Sequence, residues 1–243
     1  MIDARMPIAL DAGRHELRVL AVMNDLHLNY RDCDEGAVTT SIPHLAQMDP
    51  DCFGISVTTV AGETFDVGDV EQGFTLQSIA NPFVYGIALD DLGPEALLGH
   101  VGVEPTGNPF NAIVLERDTN RPMNPMVNAG ALAVAGLVQG VTPTDRLNHL
   151  LDRLGGFIGT RPAVDMACFM SEKNNSDRNR SIAHLARYFG HLRHDVDIDE
   201  ILDLYIQSCS VTVSCRELGL MAATLANGGV HPGTRSEAIA SRS

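Results

Sequence analysis

Period-two alternation of apolar residues is confined to one short stretch of this chain, and helical periodicity begins only after Gly93. That segregation constrains the fold most. Strands alternating with helices argue for a parallel sheet; strands in one run and helices in another argue for α+β. In residues 53–60, Phe53, Ile55, Val57 and Thr59 share one face, and Phe65 and Val67 alternate again after Ala61-Gly62. The pattern predicts a β-hairpin over 53–67, packed on the helices through Phe53 and Ile55.

The helical signals are stronger. Thr142-Pro143-Thr144-Asp145 supplies an N-cap, a first-turn proline and an acidic third position. Leu147, Leu150, Leu151 and Leu154 follow on one face, and Gly155-Gly156 is the expected stop. Two more stripes run through Ile182, Leu185, Ala186 and Phe189, and through Ile198, Ile201, Leu202 and Tyr205. Ser214-Cys215-Arg216-Glu217 is a second capping box, followed by Leu218, Met221 and Leu225 and closed by Asn227-Gly228-Gly229. Residues 1–27 show no clear period and read as a loosely attached leader; residues 234–243 are small and polar and read as a frayed tail.

Composition narrows the partners. A formal charge of −14 disfavours nucleic acid and anionic membrane surfaces. The longest uncharged stretch, residues 122–143, holds Asn124, Pro125, Asn128 and Gln139, and reads as a buried helix with its loop rather than a membrane span. Five cysteines without a Cys-x-x-Cys pair fit reduced, mostly buried thiols and a cytoplasmic location. His191 and His194 lack the companions of a metal site, so neither metal nor other cofactor is expected.

Chemistry enters through local motifs. Ser41-Ile42-Pro43-His44-Leu45-Ala46-Gln47, Asp90-Asp91-Leu92-Gly93-Pro94, Pro105-Thr106-Gly107-Asn108-Pro109-Phe110-Asn111 and Pro125-Met126-Val127-Asn128-Ala129-Gly130-Ala131 come in this order. Ser171-Glu172 through Asn179-Arg180, Tyr205 through Ser210, and Leu225-Ala226-Asn227-Gly228-Gly229-Val230 continue the series. The ordered set resembles the serine-dependent glutaminases, over residues 28–233. The resemblance implies a β-lactamase/transpeptidase-like fold, a helical body against an antiparallel sheet, and hydrolysis of L-glutamine to L-glutamate and ammonia through a serine acyl-enzyme. A penicillin-interacting serine hydrolase on the same fold fits the flanking motifs less well.

The family carries Ser-x-x-Lys at a helix start, where serine and lysine share one helical face. This chain has Ser78-Ile79-Ala80-Asn81-Pro82. The resemblance makes Ser78 the nucleophile, but Asn81 stands in the lysine's place, and an amide accepts no proton near neutral pH. Asn81 as N-cap and Pro82 as first residue of a helix over 82–91 would leave Ser78 outside that helix. Ser41 replaces a family tyrosine implicated in proton transfer, and Lys173 is the only lysine of the chain. The family also continues past Asn-Gly-Gly-Val with a helix and closing strands, so the expectation is an incomplete sheet with an unpaired edge, a homo-oligomer, and impaired turnover.

The substrate-recognition set implied by the resemblance is Ser78, Asn128, Glu172, Asn179 and Tyr205: a buried carboxylate for the ammonium of glutamine, neutral amides for its carboxylate. Each has a plainer alternative. Asn128 could cap a helix over 129–138, Glu172 and Asn179 lie in a polar run, and Tyr205 falls on an apolar stripe. Two functions remain: a glutaminase-type amidohydrolase, or a non-catalytic glutaminase-like protein, which would be a ligand binder, a partner of an intact paralogue or the product of a degraded gene.

Overall fold

The structure is a computed structural model that describes residues 12–240, with side chains from Glu16 onward. Its strands form two separate antiparallel pairs. β1 (Gly54–Thr58) and β2 (Thr64–Gly68) are the expected hairpin, with Ile55 opposite Val67 and Val57 opposite Phe65. Gly62 makes the turn at φ 92°. β3 (Gly73–Thr75) pairs with β4 (Thr212–Ser214), a union of three-residue strands that no local period announces.

The hairpin packs differently from expectation. Helix α1 (Ala12–Tyr30) lies on the Phe53 side, where His27 stacks on the Phe53 ring with centroids 5.1 Å apart and Nε2 lies 3.2 Å from its carbonyl oxygen. Met23 is buried. Residues 12–27 are thus a docked helix rather than a loose leader; residues 1–11 lie outside the described residues. The helical body meets the opposite, polar face of the hairpin. There Arg216 Nε donates to Asp66 at 2.7 Å, and a Cβ on Gly219 would stand 3.1 Å from Ser56 Oγ. A small residue is what lets the helix lie so close.

The body contains α2 (Ala80–Leu92), α3 (Pro94–Leu98), α4 (Asn128–Ala135), α5 (Pro143–Ile158), α6 (Met166–Lys173), α7 (Asp177–Tyr188), α8 (Ile198–Cys209) and α9 (Cys215–Ala226). Both predicted capping boxes form. Thr142 Oγ1 accepts from the Asp145 amide at 3.1 Å, and Ser214 Oγ from the Glu217 amide at 3.2 Å. Helix α5 runs through Gly155-Gly156 and stops at Gly159, which takes φ 92°. The glycines serve packing instead: a Cβ on Gly156 would sit 3.2 Å from the Cα of Ala238. That contact belongs to the chain end, which is not frayed as far as Ala240. Ala238 is buried, Arg153 holds its carbonyl at 3.2 Å, and the Ala240 amide donates to Asp90 at 3.0 Å; residues 241–243 lie outside the described residues.

The apolar residues form two cores. One joins α2, α5 and α9 around Phe83, Ile87, Leu150, Leu154, Phe157 and Met221. The other joins α4, α7 and α8 around Leu132, Ile182, Ile201, Leu202 and Ile206. Every residue of α4 is buried, as expected for the uncharged stretch. No helix among the described residues is long and apolar enough to cross a membrane.

Candidate active site

Ser78 sits at the end of β3 where the chain turns into α2. A 3-10 turn, Gln77–Ile79, leads directly into the helix, so the start is earlier than Asn81-Pro82 predicts. Asn81 is not an N-cap but the second helical residue. Pro82 is tolerated because the first four amides of a helix have no intrahelical partner. Ser78 and Asn81 are therefore one turn apart in nearly continuous helical backbone. Ser78 is exposed, whereas Asn81 is 4% exposed and its Nδ2 has no hydrogen-bond partner.

The residue before Ser78 has no motif to flag it. Gln77 holds φ 49°, a left-handed conformation that costs a non-glycine residue of order 1–3 kcal/mol. Its side chain keeps it there: Nε2 donates to Thr75 Oγ1 at 3.1 Å, to the Cys209 carbonyl at 3.4 Å and to Cys168 Sγ at 3.6 Å. One amide ties the turn to β3, α6 and α8.

Tyr205, on the apolar stripe of α8, is both a core residue and a partner of Ser78. It is 3% exposed, and Ser78 and Cys209 are polar neighbours of its hydroxyl. Burial holds the phenol well above its ordinary pKa, the charges of Cys209 and Glu172 and the polar contact with Cys209 add to this, and the Ser78 contact opposes it. Tyr205 is thus a proton donor near neutrality. Neither it nor Asn81 can take the Ser78 proton.

Glu172 projects from the last turn of α6 toward the same group. Burial raises its pKa to about 7, and Oε2 has no partner. Its charge acts on Tyr205, Cys209 and Cys168. An unpartnered carboxylate oxygen at that depth is costly unless a ligand answers it.

Asn128 opens α4. It does not cap it, since the N-cap position is Val127 and no side chain bonds there. Its Nδ2 donates instead to Asn179 Oδ1 on α7 at 3.0 Å, and its Oδ1 is buried without a partner. The helix start is fixed by Asn124, whose Oδ1 accepts from the Met126 and Val127 amides at 3.0 and 3.3 Å. The structure thus joins Ser78, Tyr205 and Glu172 in one group and Asn128 with Asn179 in another, on helices that all pack on α8 or α4.

The remaining candidates lie apart. Ser41 is exposed and its hydroxyl bonds Thr39 at 2.9 Å. Lys173 pairs with Asp203 at 2.7 Å and lies over the Phe169 ring. His191 is a structural residue whose ring nitrogens lie 3.0 and 3.3 Å from the carbonyl oxygens of Thr119 and Gly99. Among the described residues no three His, Cys, Asp or Glu side chains gather as a metal site. All five cysteines are free; Cys168 and Cys209 are buried, but Cys33 and Cys52 are exposed, so the thiols are less buried than expected. A cavity of about 310 Å³ lined by Thr75, Gln77, His44 and Asp165 adjoins the Ser78 turn.

The Glutaminase family profile matches residues 36–243. The chain belongs to the glutaminase family. A glutaminase of Nostoc sp. is 50% identical over 224 residues, covering 92% of this chain and 66% of the relative, and one of Trichormus variabilis is 49% identical with the same coverage. The chain therefore spans just under two thirds of these relatives. The crystal structure of Mglu in its glutamate form is 37% identical with a TM-score of 0.86, covering 92% of this chain and 51% of Mglu. The solved structure of ybaS, described as a probable glutaminase, is 30% identical with a TM-score of 0.87, covering 92% of this chain and 72% of ybaS. The fold is the β-lactamase-like α+β fold of these glutaminases, a helical body with small antiparallel sheets.

Proposed function

We propose that this chain binds L-glutamine at Ser78, Asn128, Glu172, Asn179 and Tyr205, in the site of a glutaminase-type amidohydrolase whose turnover is near background. In the full reaction the Ser78 oxygen attacks the side-chain carboxamide carbon. The C–N bond breaks, nitrogen leaves as ammonia with the serine proton, and water hydrolyses the resulting ester to L-glutamate and free Ser78. The observation that carries the reading is the unpartnered, buried Glu172 oxygen near the Ser78–Tyr205 pair. An ammonium is the natural complement of that oxygen. Asn128 and Asn179 supply neutral amides for the ligand's α-carboxylate. Neither Asn81 nor Tyr205 takes the Ser78 proton, and the loss of a general base costs ~10²–10⁴-fold in rate.

Asn81 also favours a second reading, a non-catalytic member that binds the ligand and performs no chemistry. The edges of the β1–β2 hairpin and the free thiols support assembly into a homo-oligomer in the cytoplasm as part of either reading. The test is titration of L-glutamine into the purified chain and into Glu172→Gln. Saturable binding that weakens at least about thirtyfold in the variant is expected, the usual effect of removing one member of a buried charge pair. Unchanged affinity would remove Glu172 from the site.

A further inference from the structure

Asn81 places a neutral, buried amide one helical turn after Ser78, and the consequence reaches beyond proton transfer. Its Nδ2 is buried and unpartnered. It lies three residues after Ser78, where side chains on one helical face are neighbours about 5–6 Å apart at Cβ. A carbonyl close enough for Ser78 to attack stands roughly 3–3.5 Å from the serine oxygen. The asparagine amide is then the donor next in reach.

We propose that Asn81 makes the site selective for the neutral side-chain amide of L-glutamine over the side-chain carboxylate of L-glutamate, its Nδ2–H donating to the ligand's side-chain carbonyl. This rests on the glutamine-binding reading above. The charges around the site support it. No lysine, arginine or histidine is among the groups that act on Glu172 or Tyr205, and the one lysine, Lys173, is paired with Asp203. A ligand carboxylate at Ser78 would therefore be a second anion near Glu172 with no cation to answer it, in a setting that penalises buried charge. A carboxamide brings no charge and satisfies the orphaned donor. A glutaminase-like site with asparagine here holds the substrate and rejects the acidic product.

Calorimetric titration of the full chain with L-glutamine and with L-glutamate at pH 8, where Glu172 is ionised, tests this. Ammonia is assayed in the same cell so that turnover is not mistaken for binding. Wild type is expected to bind glutamine at least about tenfold more tightly than glutamate. Asn81→Leu should weaken glutamine about tenfold, and Asn81→Lys should tighten glutamate by a similar factor. Equal affinities in the wild type, a comparison that needs no variant, would overturn the inference while leaving glutamine binding intact. Binding of neither ligand by the folded chain would overturn the glutamine-site reading, and this inference with it.

Discussion

Asn128 and Asn179 meet in a 3.0 Å bond between α4 and α7, in the larger setting of a fully buried helix. Ser78 instead stands exposed on a turn whose preceding residue is held at φ 49° by its own side chain. The first region owes its order to packing: α4 is sealed by α7 and α8, and its start is fixed by an Asn124 side-chain turn. The second owes its order to a few polar contacts, and in the proposed reading it lacks the cationic base that turnover needs. Recognition needs only fixed donors and acceptors, while reaction also needs a proton acceptor of the right pKa. Binding and turnover should therefore come apart in this protein, and each prediction below probes one side against the other.

The largest expected effect is of pH on the recognition side. Glu172 is raised by burial to about 7. A ligand ammonium pairs only with the ionised form, so affinity for L-glutamine should rise about tenfold per unit up to pH 7 and level off above it, about 100-fold between pH 5 and 8. Stability of the free protein should run the other way. The folded pKa lies above the unfolded one, so this group's contribution is complete below about 4.5 and is lost as pH rises through 7. Opposite slopes in calorimetry and thermal melts are the expected result; an affinity flat in pH would place Glu172 away from the ammonium.

A smaller effect is expected on the reactive side. Gln77→Ala keeps the left-handed backbone and removes its three anchors, and should weaken glutamine about threefold to tenfold. Gln77→Gly removes the same anchors but accepts the positive φ, and should melt higher than the alanine variant by a difference of about 1 kcal/mol. Equal melting of the two in matched denaturation curves would mean the turn carries no strain.

The smallest effect separates scaffold from site. Ser214→Ala removes one half of the α9 capping box and should cost about 1 kcal/mol with glutamine affinity unchanged. A parallel loss of affinity would show that α9 and the cleft are coupled, and the contrast between the regions would fail.

The same contrast explains what could be read from sequence. Thr142 and Ser214 announce their helices because a capping box is a local bond pattern four residues long. The stripes of α7 and α8, and the hairpin, are legible for the same reason: their periods are local. Helix α1 is not, because Met23 is the one buried side chain among its described residues and its contacts with Phe53 reach 26 residues along the chain. The β3–β4 pair joins segments nearly 140 residues apart through three residues each. Gly155-Gly156 looks like a stop because the tail that needs glycine there is distant in sequence. In the cleft, Ser78, Glu172, Asn179 and Tyr205 were reached through motif resemblance, and spacing alone would have left Tyr205 as a core tyrosine. Gln77 had no such signal, since its role rests on a backbone angle and on contacts 91 and 132 residues away.

The central claim is that the cleft binds glutamine and does not turn it over at an ordinary rate. The direct measurement is ammonia release by purified, monodisperse wild type at saturating L-glutamine, with Ser78→Ala as the blank. Release within about tenfold of the blank is predicted, because a nucleophile without its activating unit retains little rate above background. Ordinary glutaminase turnover in wild type, abolished in Ser78→Ala, would contradict the account and show that a group other than Asn81 or Tyr205 takes the serine proton.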